Sequence, residues 1–252
     1  MTNIAISVQN LHKSFAGHNV LNGVNLEIEK GKSLVILGGS GTGKSVLIKS
    51  IIGLISPSSG KIFIGDLDTS DLTSTQRTEM LRKCGFLFQG GALFDSLNIE
   101  DNITFFAERL YGLNQKKKRE LAKEKLAAVG LSDRVLRLYP SELSGGMQKR
   151  AALARAICTN PEIIFFDEPT TGLDPIMSNV INELICSIKK NLGATCITIT
   201  HDMASAKIIA DDVAMIHEGK IIWKGSPLDL NNCENPVVKQ FITGSTTGPI
   251  IV

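Results

Sequence analysis

The sequence predicts an α/β protein built on a mainly parallel sheet. Residues 34–37 (Leu-Val-Ile-Leu) form a short apolar run, followed by a glycine-rich loop and then a helix-forming stretch to residue 52. That succession is strand, phosphate-binding loop, helix. Further along, apolar strand candidates alternate with helical ones, as parallel strands joined by crossover helices require. Residues 98–138 show helical texture and no strand signal, so a helical block interrupts the alternation.

Taken in order, residues 4–11 alternate loosely as a strand, and residues 24–29 alternate cleanly. Between them, Lys13-Ser14-Phe15-Ala16-Gly17 reads as a turn carrying an aromatic ring. These strands precede the phosphate loop. Pro57-Ser58-Ser59-Gly60 is a turn, and residues 61–64 are a strand closed by Gly65-Asp66. Ser74 reads as the cap of a helix running to about Lys83. Residues 85–89 are a strand stopped by Gly90-Gly91.

In the helical block, Lys116-Lys117-Lys118-Arg119 opens a helix and reads as a solvated face; lipid headgroups are its alternative contact. Residues 162–166 restore the strand signal. Asp174-Pro175 supplies a cap and a first-turn proline, and the helix it opens places Ile176, Val180, Leu184 and Ile188 on one face. Residues 195–200 form the next strand, and residues 204–210 a helix. Two short strands, 213–217 and 220–224, meet at Glu218-Gly219. A Gly/Ser/Thr-rich segment at 244–248 begins a tail, 244–252, that composition predicts to be flexible.

Composition narrows the partners. At 252 residues the chain is long enough for one large domain or for a domain with an inserted subdomain. A net charge of +2 gives no argument for nucleic acid. Five cysteines with no C-x-x-C pair argue against a disulfide framework or a zinc site. The start of the chain shows no basic region followed by an apolar core, so no secretory signal is expected. No run approaches the 18 apolar residues of a bilayer span, so another polypeptide is expected to cross any membrane at which this one works.

Three stretches carry the chemistry. Gly38, Gly39, Ser40, Gly41, Thr42, Gly43, Lys44 and Ser45 fit the phosphate-loop pattern. Glycines let backbone N–H groups converge on phosphate oxygens, and the following helix start adds partial positive charge. Lys44 is expected on the β- and γ-phosphates, with the Ser45 hydroxyl on Mg²⁺. The apolar run Ile163-Ile164-Phe165-Phe166 ends in Asp167-Glu168. A carboxylate at a buried strand end calls for a cation, so Asp167 is expected to hold Mg²⁺ and Glu168 to act as general base on water. Leu143-Ser144-Gly145-Gly146-Met147-Gln148 places small residues before the helix-forming run 149–156, a second helix start suited to an anion. One nucleotide does not need two such cradles from one chain, so the second is expected to cap a γ-phosphate bound by another copy.

Together these stretches resemble the ATP-binding cassette (ABC) ATPases, in that family's order and over essentially the whole chain. The resemblance implies a P-loop ABC ATPase fold over residues 1–243: a mainly parallel sheet core with an N-terminal antiparallel β subdomain, and a helical subdomain inserted at about 92–160. It implies that Gln89 is the Q-loop glutamine touching the metal and water and sensing a membrane partner. By the same resemblance Gly172-Leu173-Asp174 looks like the D-loop at a dimer interface, with Asp174 near nucleotide. His201 looks like the switch histidine contacting the γ-phosphate, and Phe15 stands where the family stacks an aromatic on adenine. Ser144, Gly145 and Gly146 match the family signature. The implied assembly is an ATP sandwich of two copies, each nucleotide held by one phosphate loop and the opposite signature.

The segment Phe88-Gln89-Gly90-Gly91-Ala92-Leu93-Phe94-Asp95-Ser96-Leu97 and the run at 143–150 look like the ABC ATPases of MCE-domain lipid-transfer systems, the Mla-type phospholipid transporters and relatives labelled ribonucleotide transport. That likeness implies permease subunits, an MCE-domain substrate-binding partner, and a place on the cytoplasmic face of a bacterial inner membrane. Leu93 and Phe94 read either as a groove lip for a permease helix or as subdomain core.

Overall fold

The computed structural model describes residues 3–250. The reading of Met1 and Thr2, and that of the tail at Ile251 and Val252, fall outside the described residues. In chain order the elements are β1 (Ile4–Phe15), β2 (His18–Glu29), β3 (Ser33–Leu37), α1 (Lys44–Ile51), β4 (Ser59–Ile64), β5 (Leu67–Asp68), α2 (Ser74–Arg82), β6 (Cys84–Leu87), α3 (Ile99–Tyr111), α4 (Gln115–Ala128), α5 (Gly145–Ala156), β7 (Ile163–Asp167), α6 (Pro175–Leu192), β8 (Thr195–Thr200), α7 (Met203–Ile209), β9 (Asp212–His217), β10 (Lys220–Gly225) and α8 (Pro236–Thr243). They divide into two compact units, Met1–Arg77 with Ile197–Val252, and Thr78–Cys196.

In the first unit, β2, β1, β4 and β5 form an antiparallel sheet in that order. A second sheet pairs β3 with β9 in parallel, and β10 antiparallel on the outer side of β9. All five residues of β3 are buried, as its unbroken apolar run requires of a strand covered on both faces. The strand ends where the phosphate loop begins. Lys13, Ser14 and Phe15 belong to β1 rather than to a turn, because Ala16 and Gly17 alone reverse the chain. Both have positive φ, 46° and 84°, which makes the tight twist-matched hairpin that lets both strands run to its edge. Glu218 and Gly219 do the same between β9 and β10.

Thr73, not Ser74, caps α2. Its hydroxyl accepts from Gln76 N–H at 3.3 Å, while the Gln76 side chain accepts from Thr73 N–H at 3.0 Å, a reciprocal capping box. The sequence reading did not resolve α8, although its signals are present: Asn235 caps it, Pro236 opens it, and Gly244 at φ 64° closes it. The Gln240 side chain accepts from Ile250 N–H at 2.6 Å and donates to the Ile250 carbonyl at 3.0 Å.

The second unit pairs β6 with β7 in parallel and packs α3, α4 and α5 together. Two expectations are corrected here. Lys118 is not on a solvated face: it is buried, and its ammonium meets Asp101 at 2.5 Å and Glu108 at 2.9 Å, joining α4 to α3. A run of four cations does not show which one turns inward. The buried stripe of α6 is Ile181, Ile185 and Ile188, while Ile176 is 76% exposed. Both stripes fit a 3.6-residue repeat, and packing selects the one carrying Ile181 and Ile185.

Burial alone pushes the Lys118 ammonium toward losing its proton. The hydrogen bonds to Asp101 and Glu108 outweigh it, so its pKa lies above the ordinary 10.5. A raised lysine pKa adds stability that is complete at neutral pH and lost as pH climbs through the folded-state value. Lys118→Ala is therefore expected to cost about 1–3 kcal/mol in urea unfolding at pH 7, with the deficit shrinking only above about pH 10.5.

Candidate functional site

Gly38, Gly39, Ser40, Gly41, Thr42 and Gly43 join β3 to α1. A side chain at Gly38 would place a Cβ 2.5 Å from the Ile216 carbonyl. Gly43 sits at φ 102°, and a Cβ there would lie 2.9 Å from the Val20 carbonyl. These positions demand glycine, and that demand fixes the curl of the loop. Thr42 Oγ1 donates to the Gly39 carbonyl at 2.9 Å. Lys44 is buried, and its Nζ donates to the Gly38 and Gly39 carbonyls at 2.7 Å each, which holds the ammonium over the loop. No side chain caps α1, and its first turn carries no acidic residue. A helix start left this way is suited to an external anion. Ser45 is the second residue of α1, in its first turn.

Phe15 closes β1, 45% exposed, with the Lys13 ammonium 4.9 Å from its ring centre. A ring held at a hairpin end with one face open can stack on a flat base. His201 is exposed directly after β8. Asp202 fixes the chain there: its carboxylate accepts from Ala204 N–H at 2.9 Å and from the Ser205 hydroxyl at 2.6 Å, which starts α7.

In the second unit, β7 carries four buried apolar residues and ends at half-buried Asp167. Glu168 follows, buried, with φ 48°. A glutamate in left-handed backbone is strained by roughly 1–2 kcal/mol, so the surroundings must hold it there. They do so at both ends. Thr171 Oγ1 donates to the Glu168 carboxylate at 2.9 Å, and Thr171 N–H donates to the Glu168 carbonyl at 3.3 Å. The Lys149 ammonium also donates to the Glu168 carbonyl, at 3.3 Å, and to the Gln89 carbonyl. Burial pushes the Lys149 pKa below the usual lysine value, against the pull of Asp167 and Glu168. Lys149 thus brings together the chain at Gln89, the strand end at Glu168 and α5. The Gln89 side chain itself is exposed.

Ser144 caps α5, its hydroxyl accepting from Met147 N–H at 3.4 Å. The helix begins at Gly145, four residues before the run 149–156 that marked it in the sequence. Gly145 and Gly146 therefore supply first-turn N–H groups rather than a preceding loop. Nothing lies within 4 Å of a Cβ at Gly145, so that face of the helix start is open. Asp174 caps α6, accepting from Ile176 and Met177 N–H at 2.9 Å each. Phe94 is 42% exposed against Phe105, with ring centres 4.5 Å apart, so it forms part of an apolar surface rather than closed core.

In the sequence Lys149 and Arg155 stand out only as members of a helix-forming, family-like run, and Thr171 is not marked as a site residue. A cation five residues beyond a helix cap, and a hydroxyl three residues after a strand-end glutamate, were the signals available.

The ABC transporter family model matches residues 21–171. The chain is 39% identical to the intermembrane phospholipid transport system ATP-binding protein MlaF of Haemophilus influenzae, over 97% of this chain and 92% of that protein. It is 39% identical to the "probable ribonucleotide transport ATP-binding protein mkl" of Mycobacterium leprae, over 98% of this chain and 71% of that one. Among solved structures, the dimer of the ATP-binding cassette MJ0796 with ADP and Pi superposes with a TM-score of 0.81 at 30% identity, covering 88% of this chain and 98% of that chain.

Gly43→Ala is expected to weaken binding of a fluorescent ATP analogue by roughly 100-fold or more, through left-handed strain and the Val20 clash. Gly145→Ala, with open space around it, is expected to leave binding to the isolated chain within about threefold, below 1 kcal/mol. Titration of both variants checks the contrast.

Proposed function

We infer the protein's task from one premise: the chain belongs to the ABC transporter family, as an ATP-binding, ATP-hydrolysing subunit. We propose that it drives phospholipid movement with an MCE-type system, bound through permease subunits at the cytoplasmic face of a bacterial inner membrane. None of the helices among the described residues is long and apolar enough to cross a membrane, which supports peripheral attachment to membrane-spanning partners. The likeness to MlaF supports phospholipid as cargo. The likeness to mkl supports a second reading, in which the cargo is a small solute such as a ribonucleotide.

The observation that carries the proposed mechanism is the open start of α5 at Gly145, on a chain that already offers α1 to a phosphate. In the proposed mechanism, Gly38, Gly39, Ser40, Gly41, Thr42, Gly43 and Lys44 take the triphosphate of ATP, and Phe15 stacks on adenine. Ser144, Gly145 and Gly146 of a second copy cap the γ-phosphate, with that copy's Asp174 nearby. Ser45, Asp167 and Gln89 are the proposed Mg²⁺ donors. A hydroxyl, a carboxylate and an amide are hard oxygen ligands of the kind Mg²⁺ takes together with nucleotide phosphates. The ion would neutralise charge on the transferring phosphoryl group.

Glu168 takes the proton of the attacking water, and His201 donates toward the γ-phosphate. Strain at Glu168 and the hydroxyl on its carboxylate support this role, since both restrict where that carboxylate points. ATP completes the site only in the closed dimer. It therefore has higher affinity for the closed state and shifts the population toward it, and hydrolysis releases that bias.

Glu168→Gln is expected to lower kcat by about 10²–10⁴-fold while ATP still binds, leaving an ATP-loaded dimer visible by size-exclusion chromatography. Hydrolysis at the wild-type rate would remove Glu168 from the general-base role. Ser144→Arg is expected to abolish hydrolysis while the isolated chain keeps its ATP affinity within about threefold, since the substitution lies on the open helix start. To separate the cargo readings, the complex is purified in mild detergent. Co-purified phospholipid with an MCE-domain partner supports the first reading, and a permease with bound small solute supports the second.

A further inference from the structure

The start of α5 is part of the proposed site, but its middle and end do something else. Lys149, one turn in, donates to the carbonyls of Gln89 and Glu168. Arg155, in the last turn, donates to the Gly91 carbonyl at 2.6 Å and the Ala92 carbonyl at 2.7 Å. One helix therefore grips the loop after β6 at three carbonyls, and also grips the strained peptide at Glu168. Lys149 is buried, its ammonium donates to two backbone carbonyls, and burial outweighs the pull of the nearby Asp167 and Glu168 carboxylates. Burying an ammonium in that way is costly, and an apolar residue of similar length would be cheaper if only packing were at stake.

We propose that Lys149 is a positioning residue for hydrolysis, fixing the backbone of Gln89 and Glu168 to the helix that begins at the signature serine. Its ammonium is turned to the backbone carbonyls of Gln89 and Glu168. Its effect runs through the carbonyl of the proposed general base and through the loop that presents the Gln89 side chain. Any displacement of α5 then reaches both residues together, so closure at Ser144 and orientation at Glu168 are one event. This rests on the proposed roles of Glu168 and Gln89. A wild-type chain that hydrolyses ATP, with Glu168→Gln and Gln89→Ala variants that each lose turnover, establishes those roles independently of Lys149.

The test compares Lys149→Met, Lys149→Gln and Lys149→Arg for ATP turnover, each checked for a native melting transition. Losing the clasp is expected to lower kcat by roughly 100-fold, the scale of a misplacement of about 1 Å, with KM for ATP within about threefold of wild type. Lys149→Arg keeps a charged donor and is expected to recover at least about tenfold over Lys149→Gln. Combined with Gln89→Ala, the Lys149→Met loss is expected to shrink, because part of it acts through Gln89. A folded Lys149→Met or Lys149→Gln protein with kcat within about threefold of wild type would overturn the proposal. So would a loss confined to KM. If both uncharged variants fail to fold, the arginine variant decides: kcat within about tenfold of wild type supports the clasp, and a folded arginine variant slower than that contradicts it.

Discussion

An α-helix cannot satisfy its own first backbone N–H groups, and the proposed site is organised around two helix starts where the chain leaves them for something else. At α1 no side chain intervenes at all. At α5 the Ser144 hydroxyl reaches only the Met147 amide, at 3.4 Å, and Gly145 stands in open space. Elsewhere the same chain is careful with its helix ends. Asn98 caps α3 with Glu100 and Asp101 in the first turn, Asp174 takes two amides of α6, and Asn235 takes two of α8. The start of α1 stands apart from these, with no side-chain cap and no acidic residue in its first turn. Glycine serves the two proposed phosphate-facing ends differently. In the loop before α1 it is dictated by steric limits at Gly38 and Gly43; at α5 Gly145 stands in open space, while a Cβ at Gly146 would lie 2.6 Å from the Met177 side chain.

Strain and its restraint are concentrated at β7. Glu168 adopts left-handed backbone directly after a strand whose apolar residues are buried. Thr171 and Lys149 then hold the two ends of that residue. This is local pre-organisation: side-chain freedom is removed before any substrate arrives. The same helix, α5, supplies Lys149 and Arg155 to the loop at 89–92 and Lys149 to the Glu168 carbonyl, so the proposed catalytic residue and that loop share one support.

Much of this was legible in the sequence, and the limits of that legibility are physical. Buried β3 and β7 announce themselves as unbroken apolar runs, because strands covered on both faces need no polar alternation. Asp174-Pro175 foretold α6 to the residue, since a cap and a first-turn proline act locally. The phosphate-loop pattern is equally local. What depended on tertiary packing was lost. Which lysine of the run at 116–119 turns inward depends on Asp101 and Glu108, on another helix. Which apolar stripe of α6 is buried depends on its neighbours, not on its period. The clasp at Lys149 joins residues 60 apart in sequence, and no local pattern marks it. The Thr171 contact was nearer to hand, yet it needs the positive φ of Glu168 to exist.

The central claim is that one chain holds only half of each catalytic centre, the other half being the open start of α5 on a second copy. The direct measurement is ATPase specific activity over a wide range of protein concentration, with subunit association followed by analytical ultracentrifugation in the same samples. The account requires specific activity to fall in step with the dimer fraction and to vanish where only single chains remain. Undiminished turnover in samples shown to contain only single chains would contradict it.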